Sequence, residues 1–244
     1  MSENSTGAEN RARGFARPLP EYVDWVSATL IALGGLALTV GGSALTLVVD
    51  QGLLEEGIGS GRVSVVVLER QLTDAEALTV AERVVDWTGL GLLITGVGLV
   101  AFAVGYVVLR HRAHGRASPE QPPESGRAYA VAGAVATAVL SFVPLSPTLG
   151  GAVAGYLDHY DGDRSVRLGA LAGFLAMVPA VSILLFVAVG LFTGLSAVPA
   201  AGLEIVVLVV MVLAALFVVA YGAGLGALGG YLGKRLAESN DRGV

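Results

Sequence analysis

Few side chains in this sequence have both the type and the spacing that chemistry requires. His111 and His114 stand three apart, a spacing that suits two metal ligands on one helix face, but they lie among arginines in HRAHGR. That setting reads as a flexible loop with solvated imidazoles. Asp158-His-Tyr-Asp-Gly-Asp163 could offer carboxylate oxygens to a divalent cation. Arg164 and Arg167 follow at once and offset the charge, so a polar turn is the expectation. Pro144 and Pro147 interrupt an apolar block, and broken helices with freed carbonyls form the binding sites of many transporters. The polar residues inside apolar segments are hydroxyls: Thr39, Ser43, Thr95, Thr137, Ser141 and Ser182. Such hydroxyls commonly bond back to their own helix. Asp24, Asp50, Asp86 and Glu204 all fall at segment ends, which disfavours a proton- or ion-coupled mechanism. There is no cysteine, and no nucleophile elbow, zinc-protease or phosphate-loop motif. The expectation is a protein that is not an enzyme, with no catalytic residue, no cofactor and no metal.

The elements that carry these residues belong to a membrane. Hydrophobic residues make up 54% of the chain, charged residues only 14%, and the mean hydropathy is +0.72. Soluble domains carry roughly 25% charged residues. Several uncharged stretches reach about 20 residues, enough to cross roughly 30 Å of hydrocarbon. No Lys/Arg cluster suits nucleic acid. The basic residues are arginines except for Lys234, and the acidic, lysine-poor balance is compatible with a high-salt or high-GC source. Residues 1–24 are polar, lack the apolar core of a signal peptide and read as a disordered tail. The sequon Asn4-Ser-Thr6 lies in that tail.

Five apolar blocks follow, at 25–49, 89–109, 128–157, 168–192 and 203–232. The third contains both prolines, which disfavour a helix interior. They suggest a turn between arms 128–143 and 148–157. Charge supports that reading. If 128–157 returns to its starting side, 12 of the 15 basic residues fall on one side of the membrane, leaving Arg62, Arg70 and Arg83 outside. One continuous span gives no such bias. The expected fold class is therefore an all-α polytopic membrane helix bundle, with five to six apolar legs including a proline-broken hairpin at 128–157. One long kinked span is the alternative.

The organisation read from this threading begins with a cytoplasmic tail, 1–24. A two-span hairpin, 25–110, carries an acidic extracytoplasmic segment at 50–88. A flexible cytoplasmic linker, 111–127, leads to a glycine-rich membrane bundle at 128–233, and 234–244 is a cytoplasmic tail. Within 50–88, the β-branched run 62–69 could form one strand with no partner in evidence. Thr73-Asp-Ala-Glu76 fits a capping box.

A seven-residue pattern occurs three times, at 151–157 (GAVAGYL), 169–175 (GALAGFL) and 226–232 (GALGGYL). It places Gly151 with Gly155, Gly169 with Gly173, and Gly226 with Gly230 one turn apart, and Gly222 extends the last column. Small residues let helices approach closely in lipid, so these seven glycines are read as packing faces. They offer a homo-oligomer or a membrane-protein partner the same contact, beside the lipid bilayer itself. In the first two spans, Gly34 with Gly41, and Gly91 with Gly98 and Gly105, follow a seven-residue period. Trp25, Trp87, Tyr156 and Tyr231 suit interfacial anchors. Tyr156, Phe174 and Tyr231, at equivalent positions of the three copies, are expected at a common level.

The stretch Ser141-Phe-Val-Pro-Leu-Ser-Pro147 with the first copy, then Val166-Arg-Leu-Gly-Ala-Leu-Ala-Gly173 and the third copy, resembles a family of small, uncharacterised, glycine-rich membrane proteins of halophilic archaea over roughly residues 128–233. The resemblance implies an archaeal cell membrane and four apolar legs, and supplies no catalytic residues. The chain is thus read as a multi-pass protein of the cell membrane with both termini cytoplasmic. A non-enzymatic structural or interaction role is the first reading, and a small transporter or channel with a site at the hairpin is the second.

Overall fold

The computed structural model describes residues 20–60, 66–67, 70–116, 126–158, 163–199 and 202–241. Most of the expected N-terminal tail, the body of the linker and residues 159–162 of the DHYDGD run lie outside the described residues. The fold is all-α. Seven helices are described: α1 (Glu21–Val48), α2 (Gln51–Gly59), α3 (Asp74–Arg116), α4 (Gly126–Val139), α5 (Ser146–Asp158), α6 (Arg164–Ser196) and α7 (Leu203–Asp241). Between α2 and α3, β1 (Val66–Val67) pairs antiparallel with β2 (Arg70–Gln71). The partner for the β-branched run is thus local, a few residues downstream.

Helix boundaries follow capping chemistry. Asp50 caps α2 by accepting the Leu53 N–H at 2.9 Å. At the start of α3, Thr73 N–H donates to Glu76 Oε2 at 3.0 Å, and Glu76 N–H reaches Thr73 Oγ1 at 3.4 Å. These are the two reciprocal bonds of a capping box. Gly202, with φ +83°, turns the chain into α7 in a conformation that only glycine adopts without strain.

Four helices, α1, α3, α6 and α7, are long and apolar enough to cross a membrane. Their outward side chains are apolar: Leu33, Val40, Leu47, Val97 and Phe217 are each more than half exposed. The five to six apolar legs expected counted the two arms of 128–157, which are not among these four. Helices α4 and α5 have 14 and 13 residues, about 21 and 20 Å of rise, short of a hydrocarbon core. The first arm also stops earlier than expected, at Val139. Residues 140–145 form a tight turn, with Val143 N–H on Leu140 O at 2.8 Å and Ser146 N–H on Val143 O at 2.9 Å. Pro147 is not in the turn but in the first turn of α5, where its missing N–H would have had no helical partner.

Contacts divide the chain into two compact units. One gathers the described residues up to Leu30, Val104–Val178 and those from Val219; the other gathers Ile31–Ala103 and Pro179–Val218. Each long helix contributes a piece to both. The first unit is built on Ala128, Tyr129, Ala130, Ala154, Leu168 and Ala172. The second is built on Ile58, Leu72, Ala77, Val80, Leu195 and Val207.

Candidate functional site

The seven glycines singled out by sequence meet at one place in the first unit. A Cβ on Gly151 or on Gly169 would strike the Gly226 carbonyl oxygen, and one on Gly155 would strike that of Gly230. A Cβ on Gly173 would meet the Gly222 carbonyl, and one on Gly226 would lie 3.1 Å from Gly173 Cα. Backbone thus rests on backbone along α5, α6 and α7. The pairings 151–226 and 155–230 advance together, so α5 and α7 run parallel. The pairings 169–230 and 173–222 advance oppositely, so α6 is antiparallel to α7. Gly229 and Gly233 complete the α5 contact against Thr148 and Ala152. The same backbones fill the faces offered to a partner.

This geometry corrects the expected common level of the three aromatics. Tyr156 and Tyr231 share a level, since a Cβ on Gly233 would lie 2.8 Å from Tyr156 N. Phe174 adjoins the Gly222 region instead, nine positions and about 14 Å along α7 from Tyr231. The antiparallel course of α6 places its copy the other way up. Tyr156 and Tyr231 are 42% and 43% exposed, and the Arg235 guanidinium lies 4.7 Å over the Tyr231 ring. Trp25 is half exposed. Trp87 packs on Phe186 with ring centroids 6.3 Å apart.

Helices α4 and α5 pack antiparallel through Gly133 and Gly150, each of whose Cβ would meet the other's carbonyl. A Cβ on Gly126 would lie 2.8 Å from Arg164 Nη2, so the chain starts α4 and starts α6 at the same end of this unit. The Pro144 carbonyl, at the opposite end of the two helices, accepts the Tyr221 hydroxyl at 2.7 Å. Tyr221 stands 17 residues from Glu204 and 13 from Lys234, about 26 and 20 Å along α7. The turn therefore lies deep within α7's uncharged run.

In the second unit the glycine period is right and the phase is off, by one residue in α1 and by two in α3. Gly35 meets Gly96, and Gly42 meets Gly89, bringing α1 onto α3. Gly34, Gly41, Gly98 and Gly105 have nothing within 4 Å, and Gly91 faces Phe186. A one-residue offset is 100° around a helix, and both phases repeat at seven. Thr39, Ser43 and Thr137 bond back to carbonyls four residues earlier. Thr95 and Ser182 instead bond one another across helices at 2.8 Å.

Asp158 is fully buried, receives the Ser165 hydroxyl at 3.1 Å and pairs with Arg164 at 3.5 Å. This carboxylate ties the end of α5 to the start of α6. Among the described residues no group of three His, Cys, Asp or Glu could hold a metal.

Sequence reading missed one cluster. Asp24, in the first turn of α1, accepts the Tyr106 hydroxyl at 2.6 Å on one oxygen and Arg110 Nε at 2.8 Å on the other. All three are at least nine-tenths buried. His111 and His114 were expected in a flexible loop, whereas α3 runs on through Arg116 and carries both with it. The signal was a carboxylate opening one span and a guanidinium closing the next, hence at one depth. Arg110 Nη2 is buried with no hydrogen-bond partner. Arg110 also lines a shallow, open cleft bounded by Glu21, Trp25, His111 and His114. His114 Nδ1 donates to the Arg110 carbonyl at 2.9 Å, because that oxygen can only accept. His111 lies 3.7 Å from Glu21 at the exposed rim.

Residues 127–236 match the model of a family described as "Family of unknown function (DUF5518)". The match covers the glycine junction and the α4–α5 pair and leaves α1–α3 outside. No curated protein and no solved structure matches the chain.

Proposed function

We propose that the chain is a multi-pass protein of the cell membrane that acts as a non-enzymatic structural or interaction component. Both termini are cytoplasmic, and α4–α5 is a re-entrant hairpin broken at Pro144. The observation that carries this reading is the backbone-on-backbone junction of α5, α6 and α7. Glycine carbonyls there face glycine backbones rather than a lumen. The second reading, a transporter or channel at the hairpin, needs freed carbonyls as ligands. The carbonyls of Leu140 and Val143 accept backbone N–H groups, and that of Pro144 accepts Tyr221. That satisfaction favours the structural role, since backbone polar groups at membrane depth need internal partners.

Four spans and a returning hairpin put Gly126, Asp158, Lys234 and the start of α1 on one side, consistent with 12 of 15 basic residues cytoplasmic. The acidic, lysine-poor composition and the glycine-rich pattern support a halophilic archaeal source. Because the chain has no cysteine, single substitutions report topology directly. With an impermeant maleimide added outside intact cells, Ser196→Cys is labelled and Asp163→Cys is labelled only after lysis. Labelling of position 163 in intact cells overturns the arrangement. For function, co-purification from native membranes tests the interaction role. Solute flux that depends on the chain in liposomes, and falls with Tyr221→Phe, would replace it by the transporter reading.

A further inference from the structure

We infer that the cleft beside Arg110 binds the phosphate of a membrane phospholipid headgroup. The inference rests on the membrane placement proposed above. A guanidinium carries five N–H donors in a rigid fork that suits phosphate oxygens. In Arg110 the Nε–H is spent on Asp24, whose second oxygen is occupied by Tyr106. Nη2, on the same edge of the guanidinium as Nε, is buried and has no partner. A buried charged donor left unsatisfied is costly, so the site wants an acceptor oxygen.

Three further features select a lipid as the bearer of that oxygen. Arg110 directly follows α3's uncharged run, at the depth where phospholipid phosphates lie. Trp25, 53% exposed, stands at the cleft where an indole bridges hydrocarbon and headgroups. His111 and His114 add ring nitrogens beside the same opening. The two carboxylates present do not oppose an anion strongly. Asp24 and Arg110 offset one another, so the cleft offers an N–H donor rather than a net positive charge, and Glu21 lies at the exposed rim, where charges are screened.

The test uses the full chain with Trp87→Phe, which leaves Trp25 as the sole tryptophan, in nanodiscs. Incorporation of the chain into the discs checks the membrane placement separately from lipid choice. Trp25 quenching by dibrominated phosphatidylglycerol is compared with quenching by a dibrominated, phosphate-free galactolipid. The expected result is a preference of about tenfold for the phospholipid, lost in Arg110→Lys, which keeps the charge and removes the fork. If Arg110→Lys does not fold, the two-lipid comparison in the Trp87→Phe chain still decides. Equal quenching by the two lipids overturns the inference, as does an undiminished preference in Arg110→Lys. Added inorganic phosphate is expected to leave the preference intact; if millimolar phosphate abolishes it, free phosphate is the ligand and the lipid assignment fails.

Discussion

Gly226 shows what a single missing Cβ does in this protein. Its backbone receives Gly151 from one side and Gly169 from the other, so Gly226→Ala adds a methyl where no side chain can yield. The expected cost is about 1–3 kcal/mol, read as a fall in thermal midpoint in detergent. Gly224→Ala, two residues away and facing nothing within 4 Å, should be neutral or stabilise by up to about 1 kcal/mol through helix propensity. The buried ion pair gives a second contrast. Asp24→Asn leaves Arg110 buried and unpaired and should cost about 3–5 kcal/mol, while Asp24→Asn with Arg110→Gln should recover most of it. Additive losses in that cycle would show that the pair is not coupled. The glycines of α5–α7 could be read from sequence because spacing four repeats on one face. The acid–arginine pair could not, because its members are 86 positions apart and belong to different helices.

At the scale of the element, helix ends were more legible than helix extents. The Thr73–Glu76 box announces α3 in four residues, since both partners are local. Thr73→Ala should cost about 1 kcal/mol and speed amide exchange at residues 74–77 without affecting the rest of α3. Where α3 ends was misread, because HRAHGR has no apolar pattern and its helix is carried past the last apolar residue by the ordered turns before it. The turn between α4 and α5 receives a contact from 77 positions away, the Tyr221 hydroxyl on the Pro144 carbonyl. Tyr221→Phe leaves that carbonyl unsatisfied, at about 1–3 kcal/mol, and should raise hydrogen exchange across 140–146. Unchanged exchange there would show that the bond does not hold the turn.

For the whole molecule, hydropathy indicated a membrane, but not how many helices are long enough to cross it. Two arms of near-spanning apolarity look like spans in sequence; only their lengths, with their packing on each other and on α7, set them apart. Phase was equally hidden, since Gly34/Gly41 and Gly35/Gly42 obey the same period and only the second pair meets α3. That distinction has a genetic consequence. Every missense change in a glycine codon adds at least a Cβ, so at residues 35, 42, 96, 151 and 226 no conservative allele exists. A saturation library selected for membrane-inserted protein should retain almost no variants at those codons and many at 34, 41, 98 and 224. Drift along this chain is then confined to the lipid-facing side of each helix, while the backbone contacts act as fixed points around which related sequences diverge.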